Sequence, residues 1–344
     1  MSDAIKTNAL SPNGNVLAYM RSKMPISDNK PSKDMLLTDW TVYWLKKLTT
    51  DIKDSTRETY QSAVNNHINR VFDGIKLIEL TSQDVQLFVM SLNEGVDLED
   101  PLGPKSIRNI HGVLHKCLQT AYEMKIIPEN PAKHTKMPKV KKPEIIPLST
   151  EQLTDFLSAI SGHPLEVLFK LAVFTGMRKG EIIGLTWDCF HFEEGYIRLY
   201  RQMSYNKTKR HYYFDSLKNG KPRTIYPPAA VMEMMKQFYR SNRSGNFVFA
   251  GTTGGEHLTH SQIRKPFERI VAQMDIPDFR FHDLRHTYAV VSLKAGVDLK
   301  TLSESMGHFS VAFTLDTYAF ALTDMKEESA KRMQRYLDEH SFSI

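Results

Sequence analysis

YIRLYRQMSYNKTKRHYYFDSLKNGKPRTIY, residues 196–226, breaks the rhythm of a chain whose apolar residues otherwise recur at helical spacing. Tyr196-Ile197-Arg198-Leu199-Tyr200 alternates, as does His211-Tyr212-Tyr213-Phe214, and Arg223-Thr224-Ile225-Tyr226 follows a Lys218-Asn219-Gly220 turn. A period of two sends successive side chains to opposite faces of a strand, and Asn-Gly favours a tight turn. The segment therefore reads as one small three-stranded antiparallel sheet, with Lys218 at the hairpin tip between its second and third strands. Helical patterns surround it on both sides. The fold class is mainly α with a small antiparallel sheet, α+β.

Outward from the sheet, Ser149 and Gln152 form a capping box before Leu153, Phe156, Leu157 and Ile160, and an apolar helix runs from Leu165 to Phe174. Helices resume near 259. This second domain spans 149–323, and residues 324–344 read as a thinly apolar C-terminal helix carrying Met325, Ala330, Met333 and Leu337. Upstream, 34–131 reads as a four-helix domain. Its first helix carries Leu36, Leu37, Trp40, Tyr43, Trp44 and Leu48. Ser55 with Glu58 opens the second, Thr81 with Asp84 the third and Ser106 the fourth, and Pro128 and Pro131 end the last. Residues 1–33, broken by Pro12, Gly14, Pro25 and Pro31, read as a mobile N-terminal arm. Residues 132–148 form a basic, proline-rich linker in which Lys133, Lys136, Lys139, Lys141 and Lys142 repel one another. That linker suits either a solvated spacer or a strap across a phosphate backbone.

At 344 residues the chain can bury two cores. Lys+Arg 45 against Asp+Glu 39 gives +6, which permits a polyanionic partner without requiring one. The two cysteines, Cys117 and Cys189, form no CxxC pair, which excludes a disulfide framework and a cysteine-ligated zinc site and suits a reducing cytoplasm. The first residues carry no signal-peptide pattern, and no stretch has the length of a membrane span. A soluble cytoplasmic protein with no membrane partner is the expectation.

Four short patterns carry chemistry. TGMRKGEIIGLTW, residues 175–187, places Arg178 after a Thr-Gly break at a helix start, with Glu181 one turn on to hold the arginine or its backbone. FHDLRHTYA, residues 281–289, sets His282 and Arg285 on one helix face, with Leu284, Tyr288 and Val291 burying the other. His286 reads as a bystander pointing away from that pair. SLKNGKPRTI offers Lys218 in a turn. In MGHFSVAFTLDTYAF, residues 306–320, Gly307 ends a helix, His308 follows, Ser310 caps the next and Tyr318 lies near its end.

Each pattern alone is ordinary. As a set they offer two arginines, a lysine, two histidines and a tyrosine, without an acidic pair for a metal or a glycine-rich loop for a nucleotide. Such a set suits metal-free, cofactor-free attack on a phosphodiester. Fixed guanidiniums stabilise charge on the nonbridging oxygens, tyrosine forms the covalent bond, lysine protonates the departing hydroxyl and histidine moves the tyrosine proton.

In the order Arg, Lys, His-x-x-Arg, Gly-His, Tyr, the chain resembles the tyrosine recombinase (phage integrase) family over about residues 35–335. TGMRKGE, HDLRHTYA and MGH…TLDTY are similar to integrases of mobile elements in low-GC Gram-positive bacteria. The resemblance implies that 34–131 is a helical core-binding (SAM-like) DNA-binding domain and 149–323 an integrase-type catalytic domain, together forming a clamp around double-stranded DNA. Arg178 and Arg285 would clamp the scissile phosphate, and Lys218 would be the general acid. His282 would act in proton transfer with Tyr318, and His308 would hydrogen-bond the phosphate. Tyr318 would form the 3′-phosphotyrosyl bond, and Glu181 would support. The linker lysines would contact phosphates. Four protomers would exchange strands through a Holliday junction, each docking its C-terminal helix on a neighbour in trans. Many mobile-element integrases carry a separate arm-binding domain, and residues 1–33 show no such pattern, which leaves arm-site recognition open. Accessory DNA-bending or excision factors, the target sequence and the direction of reaction are open too. Two alternatives share parts of this reading: a type IB topoisomerase-like nicking and relaxing enzyme, and a non-catalytic DNA-binding regulator.

Overall fold

The computed structural model describes residues 31–96, 100–141, 145–242, 245–251, 257–274, 276, 278–323 and 325–340. The expected N-terminal arm up to residue 30, Lys142 and Asp324 lie outside the described residues, as do the side chains of Met325 and its neighbours. One compact unit ends at Lys141 and a second begins at Lys142.

The first unit is all helical. Helix α1 (Leu37–Tyr43) runs on as a π turn, Trp44–Leu48, and α2 (Asp54–Ala63) does the same through Val64–Ile68. The second helix starts at Asp54 without a side-chain cap, so Ser55 and Glu58 do not form the expected box. Helix α3 (Ser82–Glu94) does begin on a reciprocal Thr81–Asp84 box. Helix α4 (Pro104–Glu123) starts two residues before Ser106, because Pro104 brings a helical φ and has no N–H to leave unpaired. Trp40 and Trp44 are fully buried between α1 and α4. Their indole N–H groups donate to the Cys117 carbonyl at 3.2 Å and the Thr120 hydroxyl at 3.1 Å. Both rings thus bury large apolar area without orphaning a donor.

The segment expected to be a free linker is partly fastened. Gln86 on α3 accepts from the Lys136 N–H at 2.8 Å and donates to its carbonyl, while Arg108 on α4 donates to the Pro138 carbonyl. Ala132 is buried and Met137 packs on the helical core. Lys133, Lys136, Lys139 and Lys141 remain exposed.

The second unit opens with α5 (Thr150–Ala159) on a reciprocal Ser149–Gln152 capping box, followed by α6 (Glu166–Thr175) and short α7 (Lys179–Ile183). Five strands follow: β1 (Phe190–His191), β2 (Tyr196–Leu199), β3 (Arg201–Asn206), β4 (His211–Ser216) and β5 (Arg223–Ile225). They make two antiparallel sheets, β1-β2-β5 and β3-β4, where one three-stranded sheet was expected. Residues 201–206 form the missing strand. A turn through Arg210, at φ +53°, folds β3 onto β4 with Arg201 opposite Ser216. That pairing leaves β2 to meet β5, Ile197 against Ile225. Alternation identifies strands but does not choose partners, and here the local hairpin decides.

Helices α8 (Ala229–Ser241), α9 (His260–Val271), α10 (Asp283–Lys294), α11 (Leu299–Met306), α12 (Val311–Thr323) and α13 (Met325–Glu339) complete the unit. The rings of Phe156, Phe169, Phe267 and Phe281 meet edge-on or tilted in the main core. A smaller cluster of Ala289, Val290, Leu293, Leu302, Met306 and Tyr318 ties α10, α11 and α12 together, so the tyrosine is anchored by the core it belongs to. No helix among the described residues is long and apolar enough to cross a membrane.

Candidate active site

The turn after α6 is a backbone requirement. Gly176 sits at φ +61°, and a Cβ there would stand 2.3 Å from Cδ1 of Tyr288 on α10. Only glycine both tolerates the left-handed region and lets the chain pass this close. Two residues on, Arg178 occupies the N-terminal boundary of α7 with extended backbone, φ −73° and ψ 149°. Glu181 does both jobs proposed for it. It accepts from the Arg178 backbone N–H at 2.8 Å and from Nη1 of the same arginine at 2.9 Å.

Glu181 also receives a second guanidinium that sequence reasoning missed. Arg223 on β5 donates Nη1 and Nη2 to the two carboxylate oxygens at 2.8 and 2.7 Å, and its Nε donates to the Ser305 carbonyl. Glu181 is fully buried. Burial alone would raise its pKa, but hydrogen bonds and charge from Arg223, then the charge of Arg178, outweigh that and hold it at about 2. An arginine in a strand gives no sign of this role; the only clue was its place five residues after Lys218.

Arg285 is 3% exposed. Its Nη1 donates to the Gly176 carbonyl and its Nη2 to the Met306 carbonyl, both at 2.6 Å, while Arg178 Nη2 donates to the Gly307 carbonyl at 2.8 Å. The Thr-Gly turn and the Met306-Gly307 turn therefore aim both guanidiniums. Burial, then repulsion from Arg178, weakens the hold of Arg285 on its proton to about 9, which leaves it cationic at neutral pH.

His282 precedes α10, and its ring lies edge-on to that of His286 at 5.3 Å between centroids. Nδ1 of His286 is 2.8 Å from the Tyr318 hydroxyl, so His286 is no bystander. The correction is one of helix geometry: 286 − 282 = 4, and i,i+4 side chains share a face as i,i+3 ones do. Leu284 is buried and Tyr288 half-buried as expected, but Val291 is 37% exposed. His308 follows Gly307, which is left-handed at φ +63°. Its Nδ1 engages the Thr314 hydroxyl at 2.7 Å, and its ring lies parallel to that of Tyr318 at 6.3 Å. Burial is the first cause lowering the pKa of all three histidines, His308 to about 3. They are neutral at pH 7 and able to accept protons.

Tyr318 is fully buried at a kink in α12, with non-helical φ −119° and ψ 16°. Burial pushes its phenol up to about 12, opposed by the charge of Arg285. Arg178, His282, Arg285, His308 and Tyr318 are thus gathered in one place. Lys218 is not part of that cage. It is exposed in the turn from β4 to β5, strands of different sheets, so it is not a hairpin tip, and its side chain makes no hydrogen bond or ion pair among the described residues. Its neighbour Asn219 donates to the Gly307 carbonyl at 2.9 Å, which docks the turn on the His308 loop. A cleft of about 570 Å3 opens here, lined by Arg178, Asn219, Lys221, Arg223, Gly307 and His308 among others.

Arg178 and His308 reach the wall of this cleft, while Arg285 and the protonated phenol of Tyr318 lie buried behind it, so two cations and neutral imidazoles stand where an anion can enter. Among the described residues no group of three His, Cys, Asp or Glu side chains could hold a metal ion. The model of the phage integrase family matches residues 147–324, and that of the phage integrase N-terminal SAM-like domain matches 36–93. A tyrosine recombinase XerC-like protein of Caldanaerobacter subterraneus subsp. tengcongensis is 26% identical over 336 residues, 89% of this chain and 84% of that protein. The Tn1549 transposon integrase, solved in complex with a circular intermediate DNA, superposes with a TM-score of 0.75 at 21% identity, covering 87% of this chain and 99% of that one. A lambda integrase tetramer bound to a Holliday junction gives 0.63 at 20% identity, over 86% and 85%. The chain belongs to the phage integrase family and is a tyrosine-type site-specific recombinase.

Proposed function

We propose that the chain cuts and rejoins double-stranded DNA through a 3′-phosphotyrosyl bond on Tyr318 and so integrates or excises a mobile element. The observation that carries this is a phenol held in one cage with Arg178, Arg285, His282 and His308. The scissile phosphate enters from the cleft and meets the two arginines, whose orientation is set by backbone carbonyls before any substrate arrives. Preorganised cations stabilise the extra charge of the pentavalent transition state without reorganising. His308 donates to a nonbridging oxygen, and Lys218 protonates the 5′-oxygen as it leaves. Asn219 keeps the lysine turn at the cleft edge. The phosphotyrosyl bond conserves the energy of the broken one, so a second 5′-hydroxyl reverses the step.

Both units bind the duplex, the all-helical one serving as the core-binding domain. Exposed Lys133, Lys136, Lys139 and Lys141, with Lys142, contact the phosphate backbone. Four protomers exchange strands through a Holliday junction, and helix α13, with exposed Met333 and Tyr336, docks on a neighbour. The solved Tn1549 and lambda integrases, with their transposon-circle and junction DNA, support both readings. The reaction takes place in the cytoplasm, with or without accessory DNA-bending factors.

The test is end polarity. Sheared genomic DNA from the source cells, incubated with the chain in excess chelator and quenched in detergent, should yield protein-linked 3′ ends and free 5′-hydroxyls. Protein on 5′ ends, or cleavage that requires Mg2+, would overturn the mechanism.

A further inference from the structure

The reaction needs somewhere for the phenol proton to go, and the cage contains one group in contact with it. We infer that His286 takes the proton from Tyr318 during cleavage and returns it during rejoining. This rests on Tyr318 being the nucleophile.

Nδ1 of His286 lies 2.8 Å from the phenol oxygen and is its hydrogen-bond partner among the described residues. The other two histidines are worse placed. The Nδ1 of His308 is engaged by Thr314 at 2.7 Å, and its ring runs parallel to the tyrosine ring, 6.3 Å away. His282 stands beyond His286, ring edge to ring face at 5.3 Å. A neutral imidazole whose Nδ1 accepts from the phenol carries its own proton on Nε2, so it has a lone pair directed at the oxygen. Burial of Tyr318 in the cluster of α10, α11 and α12 disfavours a free phenolate, so proton loss must accompany attack.

The step balances. The Tyr318 O–H bond breaks and an Nδ1–H bond forms on His286. The phenolic oxygen bonds to phosphorus as the bond from phosphorus to the 5′-oxygen breaks, and that oxygen takes a proton from Lys218. Rejoining runs each transfer backwards. The imidazolium formed faces Asp283, which favours it, Arg285 and Arg280, which oppose it, and the neutral rings of His282 and His308.

The experiment uses the full chain and the duplex recovered from adducts trapped by the wild type. Single-turnover adduct formation is measured for His286→Ala and His286→Asn, each with Tyr318 or with a fluorinated tyrosine of more acidic phenol at 318. DNA affinity is measured alongside. Both variants should slow adduct formation by about 100-fold or more at unchanged DNA affinity. Asn can hold the phenol's hydrogen bond but cannot take its proton. Fluorination should return at least about 10-fold of the loss, because a more acidic phenol needs its base less. Wild-type rates for either variant, or a slow variant that fluorination does not help, would overturn the inference. If the wild-type chain itself forms no adduct, the parent reading falls and this one with it, an outcome distinct from loss confined to the His286 variants.

Discussion

Glu181 sets one negative charge against two guanidiniums, Arg178 and Arg223, in a place closed to water. Buried charges tolerate this only while paired, and removing one partner of such an arrangement costs on the order of 3–5 kcal/mol. Glu181→Ala should therefore lower the stability of the catalytic unit by about 3 kcal/mol in urea unfolding, and Glu181→Gln by less. A loss below about 1 kcal/mol would mean that Arg178 and Arg223 do not depend on it. At this scale the chain was readable where partners are near in sequence. Arg178 and Glu181 sit three apart and disclose their own pairing. Arg223 reaches Glu181 from 42 residues away and His286 reaches Tyr318 across 32. Neither carries a local mark of its task, since a strand arginine and a helix histidine are ordinary until the fold supplies the neighbour.

Among elements, the site depends on turns as much as on helices. The Thr175-Gly176 turn presents one carbonyl to Arg285 and places Arg178, and the Met306-Gly307 turn presents a carbonyl to each arginine. Gly176→Ala meets both a positive φ and a Cβ 2.3 Å from the Tyr288 ring. It should destabilise by about 1–3 kcal/mol and weaken DNA cleavage more than DNA binding, because both guanidiniums lose their aim. Thermal unfolding beside adduct yield checks this; full cleavage at wild-type stability would show the turn to be dispensable. Helix starts at Thr81 and Ser149 were legible because a capping box is written within four residues. The sheets were half legible. Strands showed by alternation, but β3 buries few of its side chains, and β1 has two residues, too few to show a period. Their pairing followed from a turn at Arg210 that no Asn-Gly signal announced.

For the whole molecule, half-buried neutral histidines impose a direction on pH dependence. His308 and His260 lie near 3 and 4, lowered first by burial from an ordinary value of 6.5. A depressed folded pKa means the unfolded chain binds more protons, so stability is full above about 6.5 and is lost as pH falls towards 4. Glu181, near 2 against an ordinary 4.5, adds a further loss below about 4.5. Tm should be level near pH 7–8 and fall steadily from about 6.5 downward; a rise between pH 7 and 5 would contradict this. The exposed lysines at the end of the first unit are the ones proposed to meet the DNA backbone. Replacing Lys133, Lys136, Lys139 and Lys141 with glutamine should flatten the salt dependence of binding, by roughly one unit of slope for each phosphate left without its lysine. An unchanged slope would mean the segment avoids the backbone.

All of this converges on the hydroxyl of residue 318. Adducts trapped on source-cell DNA, digested with nuclease and protease and mapped by mass spectrometry, should carry their residual nucleotide on Tyr318, and Tyr318→Phe should bind DNA while giving no adduct. A nucleotide mapped to another side chain, or adducts formed by the phenylalanine variant, would show that the cage serves some other chemistry.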